Sequence, residues 1–278
     1  MAILLGLLSA ISFGSGDFFG GLSSKKASVI GVIAFSHLVG LIGVATYCFL
    51  FAEAFTWEAL GVGAIAGAFG AGGLGYLYKG LSTGPMAVVA TLTAITSAVV
   101  PALWGLVGGE SLSVLAWIGI LIALVAIAFT SIPSNATADG VTVKVVIESL
   151  VAGVGFGVFF IILDTTAADV APWPVVGARL VTVIPLIPFV MITQSKELQV
   201  LRATSKTIVL TGVFDTLANV LFLAATVRGD LSIVAVLSSL YPVSTVILAR
   251  TVLDEKISLL QLIGMVLALT ATTFIALG

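Results

Sequence analysis

The sequence predicts an all-α membrane protein of ten transmembrane helices, built as two inverted five-helix repeats. Three observations carry this: an apolar composition, ten stretches of spanning length, and an internal duplication. Of 278 residues, 60% are hydrophobic and 9% are charged, whereas a soluble domain carries about 25% charged residues. A water-soluble fold of this length could not hide so much apolar surface. The net charge of −2 is too small to argue for a nucleic-acid partner. The single cysteine, Cys48, excludes an intrachain disulfide. The first segment lacks a basic leader and reads as a first span that stays in place.

Apolar stretches run at 2–22, 28–51, 58–79, 84–108 and 112–131, then at 142–164, 170–193, 206–227, 230–252 and 257–277. Only helices and closed barrels satisfy the backbone in lipid. These stretches lack the ~10-residue alternating pattern of barrel strands, so they are expected to be helices. The short connections hold the polar residues, as at 23–26, 53–58 and 194–206. The longer polar stretch around PSNATADG marks a linker at 132–142, dividing a first repeat (1–131) from a second (143–278). Trp57 and Trp173 precede spans three and seven, where interfacial aromatics belong.

Laying Gly84–Phe129 on Gly229–Phe274 without a gap matches about a third of the positions. Val89 meets Val234, Glu110 meets Glu255, Ser113 meets Ser258, and Ile118-Gly119 meets Ile263-Gly264. A weaker match sets Phe13-Gly14 against Phe156-Gly157. A unit of five spans is odd, so the second copy must enter the membrane from the other side. The charges agree: the first loop of half one holds Lys25 and Lys26, and its counterpart holds Asp164 and Asp169. The second loop of half one holds Glu53 and Glu58, and its counterpart holds Lys196, Arg202 and Lys206. Nine of the basic residues fall in or beside odd-numbered loops and only Arg228 in an even one, which places both termini outside the cytoplasm.

Ionisable residues near the bilayer centre are costly, roughly 2.5–3.5 kcal/mol on insertion scales, and face a cavity or a partner. Asp17 lies in span one, Arg179 in span seven and Asp215 in span eight, with Asn219 one turn from Asp215 on the same face. Arg179 paired with one aspartate could simply fix helix packing. Two acids and one base cannot all be neutralised, so one acid stays free to hold a proton or another coupling cation, and Asp17 is the candidate. Lys79 reads either as a lysine snorkelling to the headgroups or as an anion contact at a cavity mouth. His37 reads as a packing histidine or a proton shuttle. Tyr241, before Pro242, is a candidate cavity-lining residue at a kink of span nine. Glu110 and Glu255, in matching turns, are expected to cap the helices that follow them. Small-residue stripes at Gly63, Gly67, Ala71 and Gly75, and at Gly6, Ala10 and Gly14, suit close helix packing.

The segment LVGGESLSVLAWIGILIALVAIAF and its copy TVLDEKISLLQLIGMVLALTATTF resemble the end of an EamA-type repeat. The whole chain resembles an EamA-like member of the drug/metabolite transporter superfamily. GSGDFFGGLSSKKA, YLYKGLSTGPMAVVA and VLSSLYPVSTVILAR are similar to one branch of it. The resemblance implies ten spans and carrier-type transport. Many members carry basic residues in the second loop, whereas this chain has Glu53 and Glu58 there. Inverted repeats also suit alternating access. The expectation is a multi-pass inner (plasma) membrane carrier for a small polar metabolite such as an amino acid or sugar, in contact with membrane lipids. The alternatives are an exporter of lipophilic cations or, less well supported, a membrane-embedded enzyme. No nucleotide loop, metal-ligand cluster or catalytic constellation appears, so no cofactor is expected.

Overall fold

The computed structural model describes residues 1–51, 54–107, 113–131, 141–166, 172–193, 197–226, 228, 238 and 240–277. Glu53, Glu110, Asp169, Lys196, the linker at 132–140 and the stretch 229–237 lie outside the described residues. Among the described residues the apolar stretches are helical, because a helix closes its own hydrogen bonds in lipid. The first half contributes α1 (Ala2–Ser24), α2 (Val29–Phe51), α3 (Trp57–Thr83), α4 (Met86–Val107) and α5 (Val114–Ser131). The second contributes α6 (Val143–Asp164), α7 (Trp173–Thr193), α8 (Glu197–Ala203), α9 (Ser205–Thr226), α10 (Tyr241–Val252) and α11 (Leu259–Leu277).

Six of these helices, α1, α2, α3, α6, α7 and α9, are long and apolar enough to cross a membrane. Shorter apolar helical segments lie in α4, α5 and α11. α10 covers the second part of the ninth expected stretch. The chain is thus a multi-pass membrane protein. Local chemistry sets several helix starts. Thr56, Ser113 and Thr142 accept from the amides of Ala59, Ala116 and Val145 at 3.1, 3.1 and 3.3 Å, capping α3, α5 and α6. At α11, Ser258 Oγ accepts from Gln261 N (3.2 Å) and Gln261 Oε1 accepts from Ser258 N (3.1 Å), a reciprocal capping box.

Three local features differ from the sequence reading. The connection at 194–206 contains the short helix α8, whose Leu201 is buried against the start of α2. Pro242 is the second residue of α10, where a missing amide proton leaves no hydrogen bond unmade, and not a kink inside it. Glu255 does not cap the helix that follows it. Its carboxylate accepts from Met86 N (3.1 Å) and Ala87 N (3.2 Å), so it caps α4 of the other half. The preceding turn makes this possible: Asp254 takes a left-handed backbone (φ 53°), and Glu255 N donates back to Ala249 O at 3.3 Å. The matching position in the first copy is Gly109, the residue best suited to such a turn. Burial raises the Glu255 pKa, and the Ala87 and Met86 amides and the charge of Lys25 partly offset this.

The halves interlock. α1 packs chiefly on α9 and then on α10, and α6 packs chiefly on α3 and then on α4. The first span of each half therefore lies against the third span of the other. α2 meets α7, and α5 meets α11 along Ala123, Ala126, Ala268 and Ala271, with Ile95 of α4 packed into the same cluster. The glycine stripe of α3 serves the crossing with α7: side chains at Gly63 and Gly67 would strike the Pro174 and Ala178 backbones.

Candidate substrate and ion site

The charged residues of the membrane interior meet where α1, α2, α7 and α9 converge. α1 brings Asp17, α9 brings Asp215 and Asn219, α7 brings Arg179 and Thr182, and α2 brings His37. The approach of α1 to α9 depends on Gly16, where a Cβ would lie 3.2 Å from Asp215 N. Ser9 Oγ donates to Ala218 O at 2.9 Å and Ser23 Oγ to Thr207 Oγ1 at 2.7 Å, tying the same two helices along their length. Thr245 Oγ1 donates to Gly14 O at 3.0 Å and holds α10 alongside.

Arg179 is the hub. Its Nη2 donates to Asp215 Oδ2 in a direct ion pair. Its Nη1 lies 3.4 Å from His37 Nε2, while His37 Nδ1 lies 2.7 Å from Thr182 Oγ1. The Thr182 hydroxyl spends its proton on Arg179 O at 2.9 Å. Its oxygen must therefore accept from His37 Nδ1–H, which leaves the Nε2 lone pair facing the guanidinium. His37 thus orients Arg179. Asn219 Nδ2 donates to Asp215 O at 2.8 Å, so one of its two N–H groups is taken up by its own helix.

Asp17 has no hydrogen bond or ion pair among the described residues, and it stands within electrostatic range of Asp215. Two tyrosines adjoin the acids. Tyr241 is within range of Asp17, and its ring meets Phe13 at 6.4 Å. Tyr78 of α3, buried against Gly20, is within range of Asp17, Asp215 and Arg179. Sequence reasoning missed Tyr78 as a site residue, because in Tyr76-Leu77-Tyr78 nothing indicates which ring turns inward. Thr182 was also missed, although its spacing of three from Arg179 on one helix was a usable signal.

Lys79 stands apart from this cluster. It is exposed and lines a cavity of about 840 Å³ between α2, α3 and α7, together with Ser24, Tyr76, Ser82 and Glu148. The cavity extends to Thr182, the partner of His37. The arrangement neutralises one acid and leaves a second without a partner among the described residues, and the cavity beside it reaches as far as Thr182.

The sequence profile of the EamA-like transporter family matches residues 1–132 and again residues 144–277. No curated protein matches the chain. A crystal structure 16% identical in sequence shares the fold with a TM-score of 0.61, over 96% of this chain and 95% of that one. Matched across nearly its full length in two repeats, this chain belongs to the EamA-like family of membrane transporters.

Proposed function

We propose that the chain is a secondary carrier that moves a small polar metabolite, such as an amino acid or sugar, by alternating access between two inverted halves. The observation that carries this reading is the uneven charge count at depth. Arg179 is committed to Asp215, and Asp17 sits beside them without a partner among the described residues. An unneutralised acid in mid-membrane is a natural carrier of a proton or another cation. Protonating Asp17 would weaken its repulsion of Asp215 across the α1–α9 contact, which joins the two halves, and so couple ion binding to their relative position. The matching of first span to third span, second to second and fifth to fifth supports two equivalent halves. The loop charges support their inversion and termini outside the cytoplasm, in a carrier assigned to the plasma membrane.

One feature favours a second reading, export of lipophilic cations. Aromatic rings flank the acids: Phe13 meets Tyr241, and Phe19 stacks on Phe214 at 6.0 Å, next to Asp215. Flux of labelled amino acids, sugars and lipophilic cations in proteoliposomes, with and without a pH gradient, separates the readings. A saturable flux of a polar metabolite that responds to the gradient, and loses that response in Asp17→Asn, is the expected result. Gradient-driven flux confined to lipophilic cations would select the second reading. Coupling unchanged in Asp17→Asn would remove the role given to that acid.

A further inference from the structure

The outer part of the cavity holds polar groups that the charged cluster does not use. Glu148, near the start of α6, is 8% exposed. Its Oε1 lies 4.0 Å from Lys144 Nζ, whose side chain is 74% exposed. Its Oε2 is buried without a hydrogen-bond partner, and so is Ser24 Oγ at the end of α1. Both residues line the same cavity. A carboxylate oxygen held out of bulk water with no donor is strongly unfavourable unless something arrives to donate to it.

We propose that Glu148 and Ser24 form a receiving site for the primary ammonium group of a small solute. An ammonium offers three donors. Glu148 Oε2 is the anionic acceptor, Ser24 Oγ, lining the same cavity from another helix, is assigned as the second, and water in the open cavity takes the third. A divalent ion fits less well, since among the described residues no three His, Cys, Asp or Glu side chains come together. Lys79 lines the same cavity. Its charge disfavours a bare cation and favours a solute with an anionic or acceptor group away from its ammonium. The cavity leads on to Thr182 and, through His37, to Arg179. The onward path of the solute rests on the carrier reading; its capture at Glu148 does not.

The test is carbodiimide labelling of the purified protein. Dicyclohexylcarbodiimide activates carboxyl groups in apolar surroundings, and mass spectrometry following loss of the unmodified Glu148 peptide reports the rate, so that an amide formed when the amine captures the activated carboxyl also counts as reaction. Propylammonium chloride is expected to slow this labelling, while potassium chloride or sodium butyrate at equal ionic strength is not. Ser24→Ala should label at the wild-type rate without ligand, yet need roughly tenfold more propylammonium for half-protection. No protection, equal protection by potassium, or an unchanged half-protection concentration in Ser24→Ala overturns the proposal. Liposomes that move no solute would leave a positive labelling result standing. Flux without protection would remove the ammonium site and leave the carrier.

Discussion

Two helix contacts do the same architectural job with opposite chemistry. α1 on α9 and α6 on α3 each set the first span of one half against the third span of the other. The α6–α3 contact is built from small residues and rings. Gly155 lies against the Gly73 backbone, Phe159 fills the space over Gly70, and Gly153 beside them lets α6 approach α4 at Thr93 and Thr96. The α1–α9 contact has the same close approach at Gly16, but it carries Asp17 and Asp215. Close packing alone therefore does not require the acids. One contact holds the halves together, and the other has been given charge that the bilayer penalises. That difference is the reason the proposed coupling is assigned to α1–α9.

The largest expected effect comes from taking the base away from the charged contact. Arg179→Leu leaves Asp215 unpaired and should lower stability by about 3–5 kcal/mol in thermal unfolding in detergent. The double variant Arg179→Leu/Asp215→Leu should recover most of that loss and still not transport. Recovery of transport as well would mean the pair only packs helices. The apolar contact is probed by Gly155→Val. Its Cβ would lie 2.8 Å from Gly73 Cα, so a loss of roughly 1–3 kcal/mol is expected, with pH coupling retained in the protein that folds. Loss of coupling at unchanged stability would break the distinction between the two contacts.

Asp17→Asn should act in the opposite sense. Removing a like charge beside Asp215 should raise stability by up to about 1 kcal/mol while pH-driven flux disappears. The smallest effect belongs to Ser9→Ala, which deletes one hydrogen bond of the α1–α9 contact and should lower stability by about 0.6 kcal/mol.

Glu255 offers a control outside both contacts. Its raised pKa means the folded state holds a proton more tightly than the unfolded chain. The Glu255 contribution to stability should therefore fall as pH rises from the ordinary glutamate range of about 4.3 through the raised folded value. Unfolding midpoints measured across that window should show this slope in the wild type and lose it in Glu255→Gln.

Much of this was legible before any coordinates. Hydropathy is a property of short windows, so the described helix ends fall within a few residues of the apolar stretches read from the sequence, apart from the start of α10 and the short helix α8. Duplication is visible wherever side chains can be compared in register, as with Ser113 and Ser258, which both cap the helix that follows them. The depth of Asp17, Arg179 and Asp215 followed from their places within the spans. What those residues touch did not follow. These helices are apolar on nearly every face, so the pattern gives little indication of which face meets a neighbour. Tyr78 rather than Tyr76 turns to the acids because Gly20 leaves room for its ring. Glu255 reaches α4 instead of its own following helix because Asp254 adopts a left-handed turn and the chain of the other half passes within hydrogen-bonding distance. The sequence by itself determined the membrane class, the doubled architecture and the family, because these depend on composition and on order along the chain. The tertiary structure alone decided that Arg179 takes Asp215 and not Asp17, that His37 orients Arg179, and that Glu148 looks into a cavity. Those choices depend on helix rotation and on contacts between residues far apart in sequence.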